Sequence, residues 1–282
     1  MTALLLGATG FLGRYLAERL SRTLATSAPR PRSGDAPCLG GVKWLDARFE
    51  ASDETTIDRV LDEARPDVIV NAIGIMPSAA GDTQLLDRVN GEFPHRLASC
   101  AGARGARVVH ISTDGVFSGA RGTYVETDTP DATDAYGRSK LAGEIGAPHL
   151  TIRTSFFGRT PRGSGVIEWL VTQRGRTIEG FVDYRFTGIA AAVLADLVTV
   201  AVARDTALEG VYHVGGEAFS KYDLLKAAAE RLQIDVQVVP VSRGPVDRTL
   251  DSTRFFTAIG RRSPALADSL ARLTPCGALS HS

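Results

Sequence analysis

Tyr136 and Lys140 stand four residues apart in the segment Tyr136-Gly-Arg-Ser-Lys140. On a helix that spacing puts both side chains on one face. A tyrosine phenol, with an ordinary pKa of about 10, is a poor acid or base near neutrality. A neighbouring ammonium favours the phenolate and brings that pKa down. Upstream, Ser112-Thr113-Asp114 closes the apolar run Val108-Val109-His110-Ile111. The Thr113 hydroxyl can hydrogen-bond the same substrate oxygen as Tyr136. Together these groups can protonate a carbonyl oxygen as hydride reaches its carbon, or run the reverse. A second Tyr-x-x-x-Lys match, Tyr222 to Lys226, follows no strand that ends in hydroxyls, so context selects Tyr136.

The run 108–111 reads as a buried parallel strand. In open α/β sheets, ligands bind at the carboxyl ends of such strands. Asp134 can cap the helix that carries Tyr136. At the N-terminus, residues 2–6 predict a strand, followed by Gly7-Ala-Thr9-Gly10-Phe11-Leu12-Gly13 and a helix with Phe11, Leu12, Tyr15, Leu16 and Leu20 at helical spacing. Glycines let the backbone approach a pyrophosphate, and the helix N-terminus offers N–H donors. This places Gly7, Thr9, Gly10, Phe11, Leu12 and Gly13 at a dinucleotide. After a second strand over 24–28, Arg30 and Arg32 fall near the ribose, and no acidic residue closes that strand to hold a 2′-hydroxyl. An arginine there suits a 2′-phosphate, which favours NADPH and leaves NADH open; the alternative is two arginines solvating a Pro/Ser-rich loop. Strands over 42–45, 67–71, 149–153, 211–214 and 236–239 follow, with helices over 53–64 (Asp53 as N-cap, Pro66 as stop), 83–103, 165–173 and 221–232 (Ser220 as N-cap), and one ending at Ala203. The fold class is α/β, a doubly wound parallel sheet of Rossmann type with a smaller C-terminal α/β lobe.

The chain has 282 residues, 44% hydrophobic and 23% charged, with a formal net charge of zero. That balance gives no electrostatic reason to expect a nucleic-acid partner. No apolar run is long enough to cross a membrane. The start, MTALLLGATGFLG, reads as a strand and not as a signal peptide. Cys38, Cys100 and Cys276 show neither paired nor metal-site spacing, so no metal is expected and the cytoplasm is the default compartment. Residues Gly277–Ser282 read as a frayed tail.

The glycine pattern with STD and YGRSK resembles the extended short-chain dehydrogenases/reductases. More narrowly, ISTDGVF, the acidic loop and YGRSKLAGE resemble the dTDP-4-dehydrorhamnose reductases and related nucleotide-sugar ketoreductases. The resemblance implies a nucleotide-sugar substrate, an NADPH cofactor and a possible homodimer. It implies that Tyr136 protonates the keto oxygen, that Lys140 tunes Tyr136 and contacts the nicotinamide ribose, and that Thr113 orients the carbonyl. It further implies Asp46 and Ala47 near the adenine, Ala72, Ile73 and Gly74 along the nicotinamide, and Asn90 behind the site. Met76, Asp114 and Arg153 are candidate substrate contacts, although Met76 serves equally as core filler. Of the C-terminal arginines 243, 248 and 254, the residues alone do not choose the diphosphate clamp, and Arg248 is carried as the candidate. By the same resemblance a cofactor domain over 1–155 is rejoined by about 188–213, leaving 156–187 and 214–282 as the substrate lobe. Gly115 replaces the family's usual aromatic. That departure leaves the sugar open, and it also argues against a dehydratase, which carries a second acid after Asp114. An epimerase of the same superfamily and a non-catalytic NADP-binding regulator remain as alternatives. His95 and His110 fall in no motif and receive no role.

Overall fold

The computed structural model describes residues 1–31, 38–53, 55–77, 81–160, 163–203 and 208–273. The chain divides into two compact units, one of 1–116, 130–153 and 195–212, the other of 117–129, 154–194 and 213–282.

The first unit is built on a seven-stranded sheet. Its strands are β1 (Thr2–Leu6), β2 (Ala25–Arg30), β3 (Val42–Arg48), β4 (Val68–Asn71), β5 (Arg107–Ile111), β6 (Leu150–Thr154) and β11 (Gly210–Val214), in the order β11-β6-β5-β4-β1-β2-β3. The registered pairs from β3 across to β6 are all parallel. The central strands are buried along their length, as the continuous apolar runs Leu4-Leu5-Leu6 and Val68-Ile69-Val70 require. The order reverses direction between β1 and β4, the switch point of a doubly wound sheet, so the fold expected of the sequence is the one observed. Leu4, Leu6, Ile69, Val108, Phe93, Leu97, Val60 and Leu61 form one continuous apolar core on one face.

Several elements differ from the sequence expectation for local reasons. The helix expected from 53 begins at Thr56 (α2, Thr56–Ala64), because the Asp53 carboxylate accepts from the Thr55 N–H and hydroxyl and closes a turn before the helix starts. It ends at Arg65 in the left-handed conformation (φ 44°), one residue ahead of Pro66. The helix expected over 83–103 is interrupted. A short α3 (Thr83–Leu86) passes through a π-helical stretch, Asp87–Glu92, into α4 (Phe93–Gly102). Asn90 sits on that wider turn.

The helix α5 (Ala135–Ala142) carries Tyr136 and Lys140 and is fixed at both ends. Asp134 accepts from the Gly137 N–H at 2.7 Å, an N-cap. Beyond its C-terminus, Glu144 takes Arg153 of β6 through both carboxylate oxygens at 2.9 and 2.8 Å, and accepts from the Ser112 hydroxyl at 2.8 Å. The Arg153 and Glu144 side chains are 5% and 8% exposed. Two nitrogens of Arg153, expected to be a substrate contact, thus serve an internal clamp joining the end of β5, β6 and the chain after α5.

The second unit has its own core of Phe157, Ile167, Leu170, Phe186, Phe219, Leu224, Leu225 and Ala228. Phe186 and Phe219 meet edge to face at 4.8 Å. Its strands β8 (Thr177–Phe181) and β13 (Gln237–Val241) pair in parallel, and its helix α8 (Lys221–Leu232) opens with a Ser220–Asp223 capping box.

Substituting Glu144→Ala strands a buried guanidinium. The expected cost is about 3–5 kcal/mol of unfolding free energy in urea titration, with part of it recovered in Glu144→Ala/Arg153→Leu.

Candidate active site

Within the first unit, the end of β5 and the helix α5 bring Thr113, Tyr136 and Lys140 together. The Thr113 hydroxyl donates to Asp114 Oδ1 at 3.3 Å and accepts from the Gly115 N–H at 3.0 Å. Asp114 opens a 3-10 turn, Asp114–Val116, that carries the chain off the strand. Burial, joined by the negative charge of Asp114, pushes the Tyr136 phenol up to about 12, against a smaller lowering by its hydrogen bond with Thr113. The Lys140 Nζ donates to the Ile111 carbonyl at 2.8 Å and lies 3.3 Å from His110 Nε2. Burial brings the Lys140 amine down to about 8, and Glu144 opposes that shift.

His110 and Asn71 are members of this site that the sequence reading passed over or treated as strand residues. They are register partners on β5 and β4. Asn71 Nδ2 lies 3.0 Å from His110 Nδ1, and both side chains are fully buried. The signal was present in the chain, since a single polar residue sits at or near the carboxyl end of each of two apolar runs, VIVN and VVHI. Burial, with the Lys140 charge beside it, holds His110 well below the usual imidazole range. Asn90, on the π-helical turn, is also fully buried. Its carboxamide accepts from the Ile75 N–H and donates to the Ile75 carbonyl, both at 2.9 Å, and donates to Ser139 Oγ at 3.1 Å. It thus ties the chain after β4 to α5. A Cβ placed on Gly74 would lie 3.8 Å from both Asn90 Oδ1 and Lys140 Nζ, which puts Ala72-Ile73-Gly74 directly over the lysine.

The glycine turn meets the requirements of a dinucleotide diphosphate. Gly7 has φ 84°, open to glycine, and its Cα faces the Ala72 backbone. A Cβ on Gly13 would fall 1.9 Å from the Gly7 carbonyl oxygen, so α1 (Phe11–Leu20) packs against the turn as no larger residue allows. Gly10 is the N-cap with no side-chain cap bond, and the first turn holds no acid, so the N–H groups of Phe11 and Leu12 face no competing carboxylate there. Thr9 lies in the turn itself. Arg14, unremarked in the sequence, follows directly; its Nε is buried without a hydrogen-bond partner among the described residues. Arg30 ends β2 and reaches Asp46 at 3.3 Å, with side chains 53% and 90% exposed. The backbone N–H groups of Asp46 and Ala47 are both held by the Glu63 carboxylate at 2.8 Å. Arg32, Cys276 and the tail Gly277–Ser282 lie outside the described residues. Met76 is 53% exposed and so is not core filler. Arg248, in the second unit, donates its backbone N–H to the Arg185 carbonyl at 2.9 Å. Among the described residues no group of three or more His, Cys, Asp or Glu is placed to hold a metal ion, and no helix is long and apolar enough to cross a membrane.

The depressed lysine has a measurable consequence. The folded chain releases the Lys140 proton near 8, whereas the unfolded chain holds it to its ordinary value of 10.5. Between those values the unfolded state binds more protons, so stability rises with pH, by about 3 kcal/mol across the window. Below pH 8 the full burial penalty is present. Urea unfolding at about pH 8 and about pH 10 is expected to show about 2 kcal/mol of that gain in the wild type and to lose it in Lys140→Met.

Over residues 1–251 the chain matches the family model of the RmlD substrate binding domain. A dTDP-4-dehydrorhamnose reductase of Burkholderia thailandensis is 35% identical over 164 residues, 55% of this chain and 50% of that protein, so that match spans half the relative's length. A probable dTDP-4,6-dihydroxy-2-methyloxan-3-one 4-ketoreductase of Streptomyces antibioticus is 30% identical over 275 residues, 92% of this chain and 87% of its own. The crystal structure of a Bacillus anthracis dTDP-4-dehydrorhamnose reductase in complex with NADP superposes with a TM-score of 0.78 at 23% identity, over 96% of this chain and 98% of that one, and shares the fold. The match runs through most of its length, and the chain belongs to the RmlD substrate binding domain family, among the NAD(P)-dependent oxidoreductases.

Proposed function

We propose that this protein is an NADPH-dependent ketoreductase that reduces the 4-keto group of a nucleotide-linked 6-deoxyhexose. The observation that carries the reading is the convergence of Tyr136, hydrogen-bonded to Thr113, and the buried Lys140 at the carboxyl end of β5. A reduction needs an acid at the developing alkoxide, and the Tyr136 phenol is the one placed to supply it. Gly7, Gly10, Gly13 and the N–H groups that open α1 hold the diphosphate of the cofactor. Arg30 is exposed, and its ion pair with Asp46 is of a kind worth little in water, so it is free to turn to a 2′-phosphate. Arg14, beside the third glycine, adds positive charge. When bound, NADPH supplies the hydride that reduces the keto carbon. Thr113 orients the carbonyl oxygen, Tyr136 gives it a proton, and Lys140, next to Tyr136 on α5 and beneath Gly74, lies against the nicotinamide ribose. Met76 and Asp114 border the sugar, and Arg248 is the candidate partner of its diphosphate.

The family membership and the two reductase relatives support this reading. NADPH oxidation with a dTDP-4-keto-6-deoxyhexose tests it. Tyr136→Phe is expected to lower turnover by about 10²–10⁴-fold and to leave NADPH affinity within a few-fold. Undiminished turnover in that variant overturns the assignment.

A further inference from the structure

The turn that follows Thr113 meets the helix that carries Tyr136 through bare backbone. Thr113 Oγ1 accepts from the Gly115 N–H at 3.0 Å, which ties the hydroxyl to the Gly115 peptide. The carbonyl of the same peptide unit's residue faces the Cα of Gly137, the residue after Tyr136. A Cβ built on Gly137 would fall 2.2 Å from the Gly115 oxygen and 3.0 Å from the Ala132 Cβ. Non-bonded heavy atoms rest about 3.5 Å apart, so a side chain at 137 forces helix and turn apart by about 1 Å. Tyr136 and Thr113 are hydrogen-bonded to each other, and a parting of that size breaks the bond. Of the two pieces, α5 is the better anchored. Asp134 holds the Gly137 N–H at 2.7 Å, and Ser139 Oγ takes the Asn90 carboxamide at 3.1 Å. Past its last residue, Gly143 is seated on the Asn90 carbonyl, where a Cβ would fall 1.9 Å from the oxygen. The three-residue turn Asp114–Val116 is therefore the piece that yields.

We propose that Gly137 is a positioning residue: its bare Cα on the Gly115 carbonyl sets how closely the Thr113 hydroxyl approaches Tyr136, and so whether both reach one substrate oxygen. Gly137 touches no substrate and supplies no proton. The position requires glycine for room and not for its backbone angles, since it lies inside α5 without a positive φ. Inside an ordinary helix, alanine is the better residue by about 1 kcal/mol. Here the facing carbonyl reverses that preference. The spacing of the two hydroxyls does not depend on which substrate is turned over; its bearing on catalysis rests on the reading above.

Carbon-13 NMR of the whole protein, labelled at tyrosine Cζ and free of ligand, tests the proposal, with Tyr136→Phe identifying the signal. Thr113→Val shows where that signal goes when the hydroxyl bond is lost. Gly137→Ala is expected to move it the same way. Gly146→Ala, at a glycine with open space around it, is expected to leave it in place. In NADPH oxidation with a dTDP-4-keto-6-deoxyhexose, Gly137→Ala is expected to lower kcat by about 10²-fold and to leave both KM values within a few-fold. A folded Gly137→Ala with an unmoved signal overturns the proposal. So does a loss of turnover carried by KM, or a kcat equal to that of an active wild type. Should that variant fail to fold, Asp134→Ala and Asp134→Asn decide. Both remove the charge, but only alanine removes the side chain that holds the Gly137 N–H, which lets the first turn of α5 lift from Gly115. Asp134→Ala is then expected to carry the signal further toward its Thr113→Val position than Asp134→Asn does, and equal shifts overturn the proposal. Failure of the ketoreductase assignment would appear as missing turnover in the wild type with the NMR result intact.

Discussion

The site is shaped by one constraint: a lysine amine has been taken almost wholly out of water. Lys140 is 3% exposed, and a buried amine must find partners for its hydrogens or lose its charge. The end of β5 meets that demand with the Ile111 carbonyl and the His110 ring. Asn71 on the neighbouring strand then orients the ring, and Asn90 on the π-helical turn ties α5 to the segment above the lysine. Each of these polar groups is buried, so each needs the next.

The same logic explains why α5 is held so firmly. A helix of eight residues is marginal by its own hydrogen bonding. Its capping aspartate and the Arg153–Glu144 clamp beyond its end supply what length does not. A clamp of that kind contributes little net stability over an apolar pair, yet it fixes geometry, because a guanidinium fork accepts few orientations.

Much of this was legible in the chain. The glycine turn after β1, the apolar runs of the central strands and the Tyr136–Lys140 spacing are local patterns, and local patterns reach the structure intact. Asp134 and Ser220 could be read as caps for the same reason. What escaped depended on partners remote in sequence. The pairing of Arg153 with Glu144 is announced by neither residue alone. His110 looks like a core histidine until Asn71 and Lys140 arrive on either side. The π-helical turn at Asn90 adds a residue to one turn without any composition that announces it. The Tyr136 phenol is pushed up rather than down, because burial and Asp114 outweigh the lowering by its hydrogen bond with Thr113.

The order of segments has a consequence for how the polypeptide reaches this state. The chain leaves the first unit after Val116, returns at Pro130, leaves again after Arg153, returns at Ala195 and departs finally after Tyr212. The edge strand β11, beside β6 in the sheet, is therefore delivered only after two segments of the second unit, 117–129 and 154–194, have been made. During synthesis neither unit can close before the ribosome has passed that point, and the nascent sheet waits with an open flank. No single cut in the chain yields two self-sufficient halves, so this architecture resists both fragment expression and the shuffling of its parts as modules.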